Sequence, residues 1–242
     1  MTINAQLFDD KYVDVDDKTA TLGGSFYYDP LRAYSPLPLR WAWEQLIKYP
    51  NATLIDVGAS TGCYTLLSKH HPHLTVHAFE PVPLTNHILS TNVLLNDLSA
   101  DVVVNSAGVS NYDGFGVMNV IKADGGKGVS ILDGTPAIHK DCEQISVPVY
   151  TLDYYCDLMH VEPTMIKIDT EGGERFVLEG AKRTIEQFHP FILTEYSKEN
   201  AYQYGYGADE IITLLESWGY VWTNPEGSDL WAVHLDWEKI GK

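Results

Sequence analysis

The chain has 242 residues, 45% of them hydrophobic, which suits one α/β domain with a sizeable core and is too apolar for global disorder. Its 33 acids against 16 bases give a formal net charge of −17, which repels phosphate backbones and anionic lipid, so neither nucleic acid nor a membrane surface is an expected partner. Cys63, Cys142 and Cys156 are an odd number without C-x-x-C spacing, residues 1–17 lack a basic-then-apolar leader, and no apolar run reaches the ~18 residues of a membrane span; a reducing, cytoplasmic location is expected.

The first 20 or so residues are acidic and weakly patterned and read as an arm or a short hairpin. Gly23-Gly24 and the prolines Pro30, Pro36 and Pro38 make the next stretch irregular. A helix is then expected from Leu39 to Lys48, ended by Tyr49-Pro50-Asn51. From residue 53 short apolar strands alternate with helices. The predicted strands are Thr53–Val57, Thr75–Phe79, Asp101–Asn105, Thr164–Asp169 and Phe191–Tyr196. The predicted helices are Tyr64–His70, Pro83–Asn96, Thr151–Leu158 and Glu174–Phe188. Such alternation implies a buried parallel sheet. Asp209–Trp218 reads as a further helix, and Tyr220–Thr223 with Leu230–Leu235 as an antiparallel pair closing the sheet. Residues 109–150, rich in glycine (114, 116, 125, 126, 128 and 134), read as an inserted hairpin and loop over the strand ends. The expected organisation is an N-terminal arm and helix over 1–50 and one domain over 51–242.

Two motifs fall at carboxyl ends of predicted strands, where open parallel sheets bind ligands. In the first, Asp56-Val57-Gly58-Ala59-Ser60-Thr61-Gly62-Cys63-Tyr64, glycines let backbone approach a ligand and the following helix offers free N–H groups. With the Asp56 carboxylate alongside, the loop can meet both the ammonium and the carboxylate of S-adenosylmethionine. A dinucleotide site needs G-x-G-x-x-G around a pyrophosphate; G-x-x-x-G beside an acid favours S-adenosylmethionine, although by itself it also fits an ordinary structural turn. Gly58, Ala59, Ser60, Gly62 and Tyr64 are thus candidate cofactor residues with Asp56. Glu80-Pro81 ends the next strand, 24 residues after Asp56; Glu80 can accept both ribose hydroxyls and Pro81 aims it. A surface glutamate at a strand end is the plainer alternative. Ser106 and Ala107, after the third strand, leave room for the adenine.

The second motif is Met165-Ile166-Lys167-Ile168-Asp169-Thr170-Glu171-Gly172-Gly173-Glu174. Strand alternation puts Lys167, Asp169 and Glu171 on one side and Ile166 and Ile168 on the other. A lysine in a central strand is costly unless paired, and Asp169, Glu171 and Glu195 are its expected partners. A structural ion pair explains Lys167 alone, but not acids gathered where ligands bind. Methyl transfer to oxygen needs an aligned acceptor and removal of a hydroxyl proton. Asp169 is the candidate base or orienting group, Lys167 its support, and Glu171 and Glu195 complete the catalytic set. Three acids can also hold a divalent cation, but this spacing is common without metal and no metal ligand is assigned.

Together these segments resemble the FkbM family of methyltransferases, over roughly residues 53–197. The match rests on Ile55–Gly62, Phe79-Glu80-Pro81, the Asn92/Asn96 pair, Val147–Leu152, Ile166–Glu174 and Phe188–Glu195. The resemblance implies a Rossmann-like class I methyltransferase fold: a mostly parallel seven-stranded sheet, an antiparallel C-terminal edge hairpin, and helices on both faces. It implies S-adenosylmethionine-dependent O-methylation of a sugar (glycan) or related small-molecule hydroxyl, and association with glycosyltransferases. Ser60 stands where the family often has Asn, Thr170 replaces an aliphatic residue, and Gly173 widens the turn. Two alternatives stay open: a nicotinamide-dependent oxidoreductase, opposed by the glycine spacing, and a cofactor-binding interaction domain without catalysis, opposed by the retained charged set.

Aromatic residues with hydroxyls suit sugar rings. Tyr202, Tyr204 and Tyr206, and the early Phe26, Tyr27, Tyr28 and Tyr34, are candidates for acceptor contact or for closing the core under loops. His77 reads as a core residue, His70, His71 and His73 as helix-end residues, and His139 as an alternative base.

Overall fold

The computed structural model of the protein describes residues 2–16, 37–121, 130–131, 142–225 and 227–236. Phe26, Tyr27, Tyr28, Tyr34, His139, the Gly23-Gly24 to Pro36 stretch and glycines 125, 126, 128 and 134 lie outside the described residues.

The N-terminus forms a hairpin rather than an arm: β1 (Thr2–Phe8) pairs antiparallel with β2 (Lys11–Asp16). Its alternate residues Ala5, Leu7, Val13 and Val15 are buried, the period of two that a half-buried ribbon needs. Helix α1 (Leu37–Leu46) follows. The central sheet then builds from β3 (Thr53–Val57), β4 (Thr75–Phe79), β5 (Val102–Asn105), β10 (Met165–Ile168), β11 (Phe191–Glu195), β12 (Tyr220–Thr223) and β13 (Asp229–His234). Its order is β12-β13-β11-β10-β3-β4-β5. The five strands from β11 to β5 run parallel, and β13 and β12 add the antiparallel edge. This is the expected Rossmann-like sheet with its C-terminal edge hairpin.

Period-two alternation divides the core between the two faces. Leu54, Val76, Met165 and Leu193 point to one cluster, shared with the hairpin, α1 and α2 (Pro83–Leu95). Ile55, Val57, Ile166, Ile168 and Ile192 point to the other. That second cluster is shared with α3 (Leu152–Met159), α4 (Glu174–Glu179), α5 (Lys182–Phe188) and α7 (Asp209–Ser217).

Some expectations change. The segment after β3 is a tight 3₁₀ turn, Thr65–His70. The single helix expected over Glu174–Phe188 is two, parted at Gly180 and Ala181, and a Cβ on Gly180 would lie 2.1 Å from the Ser110 carbonyl oxygen. Strand β10 ends at Ile168, one residue short, so alternation does not carry to Glu171, which has φ +57°. A short helix, α6 (Lys198–Gln203), was not foreseen. Residues 108–150 contain a second sheet of order β6-β9-β7-β8: β6 (Gly108–Val109), β7 (Gly114–Ile121), β8 (Ser130–Ile131) and β9 (Cys142–Tyr150). Its Met118, Val147 and Val149 pack with Val82, beside the turn that carries Glu80. Among the described residues no helix is long and apolar enough to cross a membrane.

Candidate active site

The loop after β3 is built by backbone. The N–H groups of Gly58 and Ala59 both donate to the Phe79 carbonyl at 3.0 Å, folding the chain over the end of β4. Gly58 has φ +70°, and a Cβ on it would fall 1.8 Å from the Asp169 carbonyl oxygen, so only glycine lets the two strand-end loops touch. Glu80 clamps this loop. One carboxylate oxygen accepts from Ser60 N and the other from Val82 N, each at 2.9 Å. Burial pushes Glu80 up to about 7, against the lowering effect of these two donors. From α2, Asn92 donates to the Thr61 carbonyl at 2.8 Å and accepts from Asp16 N at 2.7 Å, tying the loop to the N-terminal hairpin. Asn96 adds a second tie through Asp14, accepting from its N–H at 2.9 Å and donating to its carbonyl at 2.6 Å. The asparagine pair is therefore a brace.

Beneath the loop lies a buried charged group. Asp56 is 0% exposed; its Oδ2 accepts from Thr65 Oγ1 at 2.7 Å and its Oδ1 lies 3.5 Å from Lys167 Nζ. Sequence reasoning turned Asp56 toward the cofactor's ammonium; the structure places it under the loop. Lys167 also donates to the Gly58 carbonyl at 2.8 Å, lies 3.6 Å from Asp169, and sits over the Tyr64 ring at 5.3 Å. Of its expected partners Asp169 is present, and Asp56 is the second carboxylate. Tyr64 is likewise buried, walling the ammonium rather than lining the open face.

The loop after β10 carries the acids. Asp169 is half-exposed just beyond the end of β10. Glu174, buried at the start of α4, accepts from Thr170 N and Thr170 Oγ1 at 2.8 Å and from Gly172 N at 3.1 Å, and so shapes the loop that presents Glu171. Burial, then Asp169 and Glu174, raise Glu171 above the usual carboxylate range. Burial, then Asp169, Glu174 and Glu171, push Glu195 up to about 9. Asn200 of α6 donates to Glu171 at 3.1 Å and lies 3.3 Å from both Glu195 oxygens. Glu174 and Asn200 were both missed: Glu174 was visible as the acid opening a helix, whereas nothing local marks Asn200.

The structure thus gathers Asp56, Gly58, Tyr64, Lys167 and Asp169 at one point, Ser60 with Glu80 beside it, and Glu171 with Glu195 through Asn200. Gly62 instead packs against α2, where a Cβ would lie 2.7 Å from Leu89 Cδ1. Ala59 is buried and Pro81 half-buried. Ser106 is exposed, while Ala107 is buried in the core with Phe79 and Val109. Tyr204 and Tyr206 are core residues; Tyr206 donates its hydroxyl to the Gly172 carbonyl at 2.9 Å. Tyr202 is 83% exposed. His77 is buried against the Tyr155 hydroxyl at 2.8 Å. Cys63 and Cys156 are free and buried, their thiols pushed up to about 12 by burial, which leaves them unreactive. Among the described residues no group of three or more His, Cys, Asp or Glu is arranged to hold a metal ion.

Residues 56–222 match the family model described as "Methyltransferase FkbM domain", more than half of the chain. The methyltransferase sdnD of Sordaria araneosa is 35% identical over 65 residues, 26% of this chain and 25% of that protein. The FkbM methyltransferase of Methylobacillus flagellatus KT superposes with a TM-score of 0.50 at 18% identity, covering 76% of this chain and 44% of that one. The chain therefore spans about a quarter of its curated relative and less than half of that structure. A putative caffeoyl-CoA O-methyltransferase from Staphylococcus aureus gives a TM-score of 0.52 at 11% identity, covering 84% and 85% of the two chains. The O-methyltransferase of Bacillus cereus, solved in complex with SAH, gives 0.50 at 12%, covering 85% and 84%. These likenesses show the Rossmann-like class I fold, and the family match is direct: the chain belongs to the FkbM methyltransferase family.

Proposed function

We propose that the protein is an S-adenosylmethionine-dependent O-methyltransferase acting on a hydroxyl of a sugar or related small molecule. What carries this reading is the contact between the two loops, which leaves no room for a Cβ between Gly58 and the Asp169 carbonyl. A cofactor held on the first loop is thereby adjacent to the acids of the second. The residues present fit the cofactor. Each Glu80 oxygen accepts one backbone N–H and keeps a second lone pair, as a ribose diol requires. The acids of the second loop suit a cationic sulfonium and an ammonium. S-adenosylmethionine would supply an electrophilic methyl group and leave as a neutral thioether.

The chain's own residues do the rest. Asp169 takes the acceptor's hydroxyl proton, with Lys167 at 3.6 Å fixing its position. Glu195, pushed up to about 9, carries a proton at neutral pH and grips the acceptor as a donor. Asp56 acts through Lys167, with no direct contact to the cofactor. The acceptor lies over the half-open acidic loop, and partner glycosyltransferases in the cytoplasm would supply it. Calorimetric titration with S-adenosylhomocysteine, with and without magnesium, tests the cofactor. Micromolar binding insensitive to magnesium is expected, followed by methyl transfer to members of a sugar panel. No binding at millimolar ligand, or a thermal shift with NAD instead, overturns the proposal.

A further inference from the structure

Helix α6 is locked to the acidic loop by small-scale packing. Gly172 has φ +115°, and a Cβ on it would lie 2.6 Å from the Tyr204 ring and 2.8 Å from the Asn200 carbonyl oxygen. The Tyr206 hydroxyl donates to the Gly172 carbonyl at 2.9 Å, and the Ser197 hydroxyl caps the helix by accepting from Asn200 N at 3.2 Å. The backbone of Asn200 is thus fixed relative to the loop that carries Glu171. From that platform one amide nitrogen, with two hydrogens, serves carboxylates from two separate segments: Glu171 at 3.1 Å and both Glu195 oxygens at 3.3 Å.

We propose that Asn200 is a positioning residue for methyl transfer, holding Glu171 and Glu195 together as the pair that grips the acceptor. The inference rests on the O-methyltransferase reading. Around Glu195 stand Asp169, Glu171 and Glu174, all acidic, with Asp229 opposite it on β13. Against these Asn200 lowers both glutamates, joined at Glu171 by the Lys167 ammonium. Its loss therefore raises both further.

The test pairs Asn200→Ala with Asn200→Gln, which keeps a donor. Carboxyl-carbon NMR follows Glu195 through its titration, and kcat, acceptor KM and the pH–rate profile are measured on the same proteins. In Asn200→Ala the Glu195 midpoint should rise by roughly half to one pH unit. The alkaline limb should move the same way, kcat fall about tenfold and S-adenosylhomocysteine affinity hold within about twofold. Asn200→Gln should recover most of this. If Asn200→Ala does not fold, Asn200→Ser, also lacking the amide, carries the test. An unmoved Glu195 midpoint, or an unmoved pH profile in an active enzyme, overturns the role alone. A wild type that neither binds S-adenosylhomocysteine nor methylates any acceptor overturns the function and the role with it.

Discussion

The two strand-end loops touch each other, yet they are built on opposite principles. Around the loop after β3, each carboxylate has partners within the protein: Asp56 has the Thr65 hydroxyl at one oxygen and the Lys167 ammonium 3.5 Å from the other, and Glu80 has the N–H groups of Ser60 and Val82. Around the loop after β10, Asp169, Glu171 and Glu195 share the far side of one ammonium and one side-chain amide, and two of them are raised by burial and then by their acidic neighbours. A saturated polar group stabilises the scaffold, whereas an undersupplied one stores a demand that a cationic or hydroxyl-bearing ligand can meet. Acids of the same type thus divide: Asp56 holds the fold, Glu80 clamps its loop with a lone pair left on each oxygen for the cofactor, and the acids after β10 face the chemistry.

That division is broken most severely by removing the proposed base. Asp169→Asn should lower turnover by about 10²–10⁴-fold, the range for a positioned proton acceptor, while S-adenosylhomocysteine affinity stays unchanged. Full activity in a methyl-transfer assay would remove Asp169 from the catalytic set. Asp56→Ala acts on the other loop and should appear as lost stability. It takes from the buried Lys167 ammonium one of its two carboxylates, leaving Asp169 at 3.6 Å and the Gly58 carbonyl at 2.8 Å, and should cost about 1–3 kcal/mol, read as a lower denaturation midpoint. Wild-type stability with weakened cofactor binding would instead restore Asp56 to the ligand side of the loop.

The same contrast explains what was legible in the sequence. The strand positions and the parallel sheet followed from apolar runs and their spacing, because burial on both faces leaves a continuous hydrophobic mark at β3, β10 and β11. The loop after β3 was legible as a motif, since the φ of +70° at Gly58 favours glycine whatever surrounds it, and Glu80 follows at a strand end. The role of Asp56 was not: its partner, Lys167, lies more than a hundred residues away in the chain. Asn200 and the break at Gly180 were illegible for the same reason. Their partners, Glu171 with Glu195 and the Ser110 backbone, come from other segments and leave no periodicity behind. Glu171 was placed on the right loop through an alternation that stops before it.

Smaller substitutions sharpen the comparison. Glu80→Gln keeps the shape but sets an amide NH₂ against one of two backbone donors, Ser60 N or Val82 N. It should loosen the clamp and weaken S-adenosylhomocysteine binding by about tenfold, seen by calorimetry, with kcat at saturating cofactor little changed. Equal affinity would mean that Glu80 serves the loop and never the ligand.

The mildest effect is on the ligand-free protein's stability against pH. Glu195 is pushed up to about 9 and Glu80 to about 7, both from 4.5. For each, the folded chain keeps a proton that the unfolded chain has released. Stability from these groups is therefore complete below about pH 4.5 and is lost as pH rises through the folded value. His77 and His234 are lowered from 6.5 by burial and work the other way, losing stability as pH falls below that value. Between pH 8 and 9 both histidines are neutral in either state and Glu80, at about 7, has largely titrated, so the decline that remains there belongs chiefly to Glu195. The melting temperature should fall across this window by on the order of 2–4 °C, and Glu195→Gln should flatten it. A saturated loop has little left to titrate there, so a decline surviving in Glu195→Gln would place the unmet charge somewhere other than the loop after β10.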